Sequence, residues 1–201
     1  MRTEFDDLQI LNDIDPSRAV AFSGHRVEKI VPPGNTVGYA AARERIVRRT
    51  ARAVLHFRHQ DCNTYLCGMA TGFDLWAALA VLSLKKHLPD LRLIAVVPYR
   101  GQANGFSYEF RELYSEVLAA ADGRVCLHQN YTRSCFHERN RAMVDHASAL
   151  VCYFDGTSGG TAYTVGLARK RDMTVLNLCD DAQEYNHKAD ALLIENILKI
   201  K

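Results

Sequence analysis

Several short groups of residues in this 201-residue chain have the types and spacing that anion chemistry needs. The richest is Asp-Gly-Thr-Ser-Gly-Gly-Thr at 155–161. It lies between an apolar run, ALVCYF at 149–154, and a helical pattern that begins at Thr161 and ends in cations. Glycine lets a backbone approach a ligand closely. The free N–H groups of the helix that follows point into the loop, with the positive end of the helix dipole behind them. Asp155, Gly156, Gly159, Gly160 and Thr161 are therefore candidate phosphate contacts. The same residues also suit a plain strand-to-helix turn, and glycines alone do not separate the two readings. The loop lacks the Gly-Lys-Ser/Thr ending of a Walker A loop and is not the dinucleotide fingerprint.

Four other stretches repeat the pattern of a strand followed by a loop able to meet a ligand. Ser23, Gly24, His25 and Arg26 follow AVAFS; the alternative there is a turn with a solvated arginine. Gly68, Met69 and Ala70 follow TYLC and lead to Asp74 in a first helical turn. Asp74 either complements the helix dipole or accepts ribose hydroxyls. Pro98, Tyr99, Arg100 and Gln102 follow LRLIAVV, which is read as ending at Pro98 because proline cannot donate to a sheet ladder. They face a ligand's edge or form a solvated loop. Finally Phe136 to Asn140 (FHERN) brings Arg139, suited to bidentate pairing with phosphate, and Asn140 beside it. Tyr99 or Trp76 is available to pack a base; for Trp76 the competing reading is core.

These loops need elements to hold them. Apolar, partly β-branched runs read as strands at 19–23, 64–67, 91–97, 124–127, 149–154 and 173–178. Helical patterns lie at 38–59, 75–87, 107–121, 137–146, from 161 onward and at 187–198. On the first, Ala41, Ala42, Ile46, Val47, Ala51, Val54 and Leu55 form the apolar side, opposite a solvated arginine face. Strands alternating with helices give an α/β fold, a doubly wound and mainly parallel sheet with helices on both faces. Its loops then converge at the carboxyl ends of the strands, where open α/β sheets bind ligands. Residues 1–18 read as an arm that Phe5, Leu8, Ile10, Leu11 and Ile14 dock on the body. The expected core domain is 19–180, with a loop and helix over 181–201 packed on it.

Composition bounds the rest. Apolar residues at 48% and charged residues at 24% are ordinary globular values. A net charge of +2 argues against nucleic acid and membrane surfaces as partners. No apolar run is long enough to span a bilayer. The acidic N-terminus is unlike a secretory signal, so a cytoplasmic protein is expected. Among the six cysteines there is no Cys-x-x-Cys pair, and the histidines show no His-Glu-x-x-His spacing. No cofactor or metal is expected, although a zinc site built from separated cysteines and histidines stays open.

Taken together, SGHR, GMATGFDLWAA, PYRGQ, RNRAMVD and DGTSGGTAYTV stand in an order that resembles the SLOG superfamily (Smf/DprA and LOG related), most of all its YpsA-like branch of Rossmann-like proteins. The resemblance covers about 19–178. It implies a Rossmann-like nucleotide-binding domain, sensor or effector roles, and homo-oligomers. Within the superfamily, LOG phosphoribohydrolases cleave the N-glycosidic bond of nucleoside monophosphates. Their His-Glu-Arg-Lys, nearby Met and Pro-Gly-Gly-x-Gly-Thr are similar to His137, Glu138, Arg139, Met143, Gly159, Gly160 and Thr161 here. The catalytic Glu that follows Gly-Thr in those enzymes is replaced by Ala162, Tyr163 and Thr164. Tyrosine and threonine carry no negative charge near pH 7, while glycosidic cleavage develops positive charge on the ribose.

The preferred reading is thus a protein that holds a nucleotide or nucleotide-derived phosphate ligand in the cleft, as a sensor or regulator. Its ligand-binding set is Ser23, Gly24, His25, Arg26, Gly68, Met69, Ala70, Asp74, Pro98, Tyr99, Gln102, Arg139, Asn140, Asp155, Gly156, Gly159, Gly160 and Thr161. The alternative is a nucleotide N-glycosidase, with Arg139, Glu138 and Asp74 as catalytic candidates and Asp145 or Asp155 as further carboxylates.

Overall fold

A computed structural model describes residues 5–6, 8–180 and 188–198. Six strands form one all-parallel sheet: β1 (Ala19–Gly24), β2 (Thr64–Cys67), β3 (Arg92–Tyr99), β4 (Gly123–His128), β5 (Ala149–Tyr153) and β6 (Thr174–Asn177). The spatial order is β4-β3-β2-β1-β5-β6. The helices are α1 (Gln9–Asn12), α2 (Val27–Ile30), α3 (Thr36–Arg58), α4 (Phe73–Lys85), α5 (Tyr108–Ala120), α6 (Cys135–Asp145), α7 (Gly160–Lys170) and α8 (Lys188–Ile197). The doubly wound α/β architecture expected from the alternation is the one found.

A parallel sheet buried on both faces needs apolar residues at every position, and the period of two then assigns them to opposite cores. Val20 and Phe22 point to one core with Tyr65, Cys67, Leu93, Ala95 and Val97. Ala19 and Ala21 point to the other with Leu66, Ile94, Val96 and Leu150. Helices α3, α4, α5 and α8 cover the first face; α6, α7 and the N-terminal arm cover the second. Helix α4 packs against α3, α5 and the sheet, so it is apolar nearly all round.

Trp76 lies at its centre, fully buried against Tyr39 and Phe110. It is therefore a core residue and does not reach a ligand; truncation to Ala removes about 3–5 kcal/mol of stability.

Some expectations need correction. Ala41 is exposed, whereas Thr50, Ala53 and Phe57 complete the buried side of α3. Leu11 and Ile14 dock the N-terminal arm as expected, but Leu8 is 49% exposed. Strand β3 runs through Pro98 to Tyr99, because proline's fixed φ suits extended backbone and only one ladder donor is lost. The loop expected over 180–185 lies outside the described residues beyond Asp180, as do the Leu192 side chain and part of residues 1–18.

The winding decides where the site lies. The chain builds outward from β1 to β4, then α6 carries it back over the sheet so that β5 pairs with the free side of β1. The carboxyl ends of β1 and β5 therefore open a crevice at a topological switch point, with α6 beside it.

Candidate functional site

A cavity of about 700 Å³ occupies this crevice. Four of the five sequence groups line it: Ser23 to Arg26 from the end of β1, Ala70 and Asp74 from the loop and helix after β2, Phe136, His137, Arg139 and Asn140 from α6, and Ser158 to Thr161 from the glycine loop. Glu28 and Lys29 of α2 complete the wall.

The glycine loop is built as an open helix start. Gly159, the residue before α7, has φ 144°, a conformation that side chains rarely adopt. No side chain caps the helix there. The first N–H groups of a helix have no partner within it, and Gly159, Gly160 and Thr161 line the cavity. Around them Asn140 Nδ2 donates to the Gly160 carbonyl at 3.4 Å, and Thr164 Oγ1 donates to the same carbonyl at 2.9 Å.

Two anchors hold the loop to the other side of the crevice. His25 is 4% exposed, and its Nε2 lies 2.6 Å from Asp155 Oδ1 and 3.2 Å from the Asp155 amide, so it bonds the start of the loop in either tautomer. The Thr157 hydroxyl and amide also donate to that oxygen, and these bonds, with His25, hold the Asp155 carboxyl well below the usual range. Lys29 Nζ donates to Thr157 Oγ1 at 3.0 Å and to the Ser158 carbonyl at 3.3 Å.

Beneath the cavity, a buried ion pair joins α6 to α4. Arg139 Nη1 lies 3.7 Å from Asp74 Oδ2 and also donates to the Gly68 carbonyl. Asp74 accepts from the Gly24 amide through Oδ1 and from the Ala70 amide through Oδ2, each at 3.3 Å. Burial pushes the Asp74 carboxyl up, opposed by Arg139 and by these amides. Burial pushes the Arg139 guanidinium down, opposed by Asp74. Arg139 Nε is buried with no hydrogen-bond partner, although the side chain lines the cavity. An orphaned donor on a buried cation is costly unless something meets it. The lining sets Arg26, Lys29 and Arg139 against Glu28 and Asp74, so the histidines aside it favours an anion.

Other predicted residues do not line the cavity. Gly68 sits under the Arg139 guanidinium; a Cβ there would be 1.8 Å from Nη1, so a larger residue would displace the guanidinium from this position. Met69 is fully buried in a left-handed conformation, φ 59°. Pro98 ends within β3. Gln102 is buried, and its amide donates to the Gly68 and Met69 carbonyls at 3.1 Å, so it braces the loop after β2. Tyr99 packs on Tyr131 and Phe136. Asp155 and Gly156 lie in the exposed part of the glycine loop, and the Asp155 side chain turns to His25. Glu138 is exposed and bonds to His128 at 2.5 Å, away from the cavity. Asp145 pairs with Arg171.

Glu28, Lys29, Phe136, His137 and Ser158 line the cavity without a sequence pattern that places them in the binding set. For the α2 pair a helical signal exists, since Val27 and Ile30 are spaced as one apolar helical edge between charged residues.

The pattern that defines the YspA SLOG family matches residues 41–177. The chain belongs to the YspA SLOG family. UPF0398 protein YpsA of Bacillus subtilis is 32% identical over 103 residues, 50% of this chain and 57% of that protein. The match thus spans less than two thirds of that relative's length. The SPbeta prophage-derived protein YoqJ of the same organism is 26% identical over 118 residues, 53% of this chain and 69% of that protein.

Among solved structures, DNA processing protein A of Helicobacter pylori, described for its single-stranded DNA binding mode, matches with TM-score 0.55 and 18% identity over 96% of this chain and 77% of that one. DprA of Streptococcus pneumoniae matches with TM-score 0.52 and 16% identity, over 94% and 59% of the two chains. Identities this low show a shared fold alone. No helix among the described residues is long and apolar enough to cross a membrane.

Proposed function

We propose that this protein binds a nucleotide or nucleotide-derived phosphate ligand in the cavity between β1 and β5, as a sensor or regulator. One observation carries the reading. The uncapped start of α7 and buried Arg139, whose Nε has no hydrogen-bond partner, line the same cavity. Backbone donors, a helix dipole and a desolvated guanidinium together make a phosphate site. The volume of about 700 Å³ falls within the range of small-molecule and cofactor pockets. Ser23, Gly24, His25, Arg26, Ala70, Asp74, Asn140, Gly159, Gly160 and Thr161 form the proposed contact set around Arg139. Gly68, Met69, Gln102 and Asp155 support it from behind, and Lys29 joins it as a further cation.

Cytoplasmic residence belongs to the same proposal, and six free cysteines suit a reducing compartment. Assembly into homo-oligomers is proposed from the superfamily resemblance alone.

Hydrolysis of a glycosidic bond has less support. The residues after Gly160-Thr161 supply no carboxylate: Thr164 bonds the Gly160 carbonyl and the Tyr163 hydroxyl accepts from Arg141. Asp74 has both oxygens engaged by backbone amides.

Thermal melts with AMP, GMP, ADP-ribose, NAD and inorganic phosphate test the reading. A ligand at ~100 times its dissociation constant stabilises by ~2.7 kcal/mol, which for this size is roughly 5–10 °C. Free base appearing in the same mixtures would favour the hydrolase instead.

A further inference from the structure

Three aromatic side chains outside both cores form a cluster that reaches the cavity through Phe136. Phe136, on the first turn of α6, lines the cavity and is half-buried. Its ring centroid is 6.0 Å from that of Tyr99 and 6.4 Å from that of Tyr131. Tyr99 and Tyr131 are 5.6 Å apart, edge to face. None of the three packs into the apolar clusters on the two faces of the sheet. Tyr131 is 60% exposed. Aromatic rings are large apolar bodies, and a structure that only needed them for packing would bury them with the rest. The Arg26 guanidinium lies 5.5 Å over the Phe136 ring, and Arg26 lines the same cavity. The guanidinium is itself a flat group, so the face it covers has room for another flat partner once Arg26 moves away.

Resting on the proposed phosphate site, we infer that Phe136, backed by Tyr99 and Tyr131, stacks the heteroaromatic base of the ligand whose phosphate sits at Gly159–Thr161. The juxtaposition that carries this is a cation-lined cavity ending on an aromatic shelf. One molecule that satisfies both ends carries an anion and a flat ring, which is the chemistry of a nucleotide. Arg26 then leaves the ring for the phosphate while the base takes its place. Every base has a π face, so the shelf separates ligands with a base from ligands without one and does not choose strongly among bases.

The test is isothermal titration of wild type, Phe136→Leu and Tyr131→Ala with AMP and with ribose 5-phosphate. Leucine keeps the wall apolar while removing the ring, and Tyr131 is exposed enough for its loss to spare the fold. Stacking predicts that wild type prefers AMP by about ten-fold or more. Phe136→Leu should lose about that factor for AMP and none for ribose 5-phosphate. Tyr131→Ala should weaken AMP in the same selective way. Equal wild-type affinities for the two ligands, or an unchanged AMP affinity in Phe136→Leu, would overturn the shelf while leaving the phosphate site standing. A wild type that binds neither ligand removes the phosphate site itself, and the shelf with it.

Discussion

Arg139 on α6 and Asp74 on α4 face each other at 3.7 Å beneath the cavity, each more than nine-tenths buried. The pair ties the crossover helix to the end of β2, and both residues line the cavity. Breaking it from the acidic side leaves a buried cation uncompensated. Asp74→Ala should therefore lower stability by about 3–5 kcal/mol. Urea denaturation measures this, and a loss under 1 kcal/mol (about the worth of an exposed pair) would show that the two charges are solvated.

Gly68→Ala tests the placement of Arg139 without touching a charge. The added Cβ would stand 1.8 Å from Arg139 Nη1 and 2.8 Å from Asp74 Oδ2. Arg139 must move, at a cost of about 1–3 kcal/mol. The variant should fold and lose phosphate-ligand binding. Binding at wild-type strength in a folded Gly68→Ala protein would contradict the geometry.

Lys29 is exposed, and its amine rests on oxygens of the glycine loop. A bound phosphate offers it better acceptors. Lys29→Met should weaken an AMP-class ligand roughly ten-fold or more and shift stability by no more than about 0.5 kcal/mol. Titration and a thermal melt on the same sample separate these effects.

Asp155 gives a pH signature. Its carboxyl is held below the ordinary value of 3.8 by Thr157 and His25. A carboxyl depressed in the folded state contributes stability above its unfolded pKa, and loses it as pH falls through the folded one. The advantage of wild type over Asp155→Asn should thus be steady near neutrality and shrink below pH 3.8. Chemical denaturation across that range reads it; an advantage that grows on acidification has the wrong sign.

Much of the fold is legible in the sequence because strand runs and helical periods report burial directly. Leu66 and Tyr65 go to opposite cores as alternation requires. The convergence of loops is legible for the same reason, since parallel strands put their carboxyl ends together. What sequence does not show is reach. Gln102 follows a strand like the other loop residues, yet its amide turns inward to two carbonyls. Asp74 reads as a dipole partner or a ribose contact, and only the crossover of α6 brings Arg139 beside it. Lys29 belongs to a four-residue helix too short to announce itself, and its role depends on a loop 128 positions away.

The start of α7 and Arg139 are proposed to hold a phosphate. Titration calorimetry with AMP and with adenosine, on wild type and Arg139→Lys, tests it most directly. Two charge-assisted contacts predict that AMP binds about a hundred-fold more tightly than adenosine, with most of that preference lost in Arg139→Lys. Adenosine binding as tightly as AMP, or an AMP preference untouched by Arg139→Lys, would contradict it.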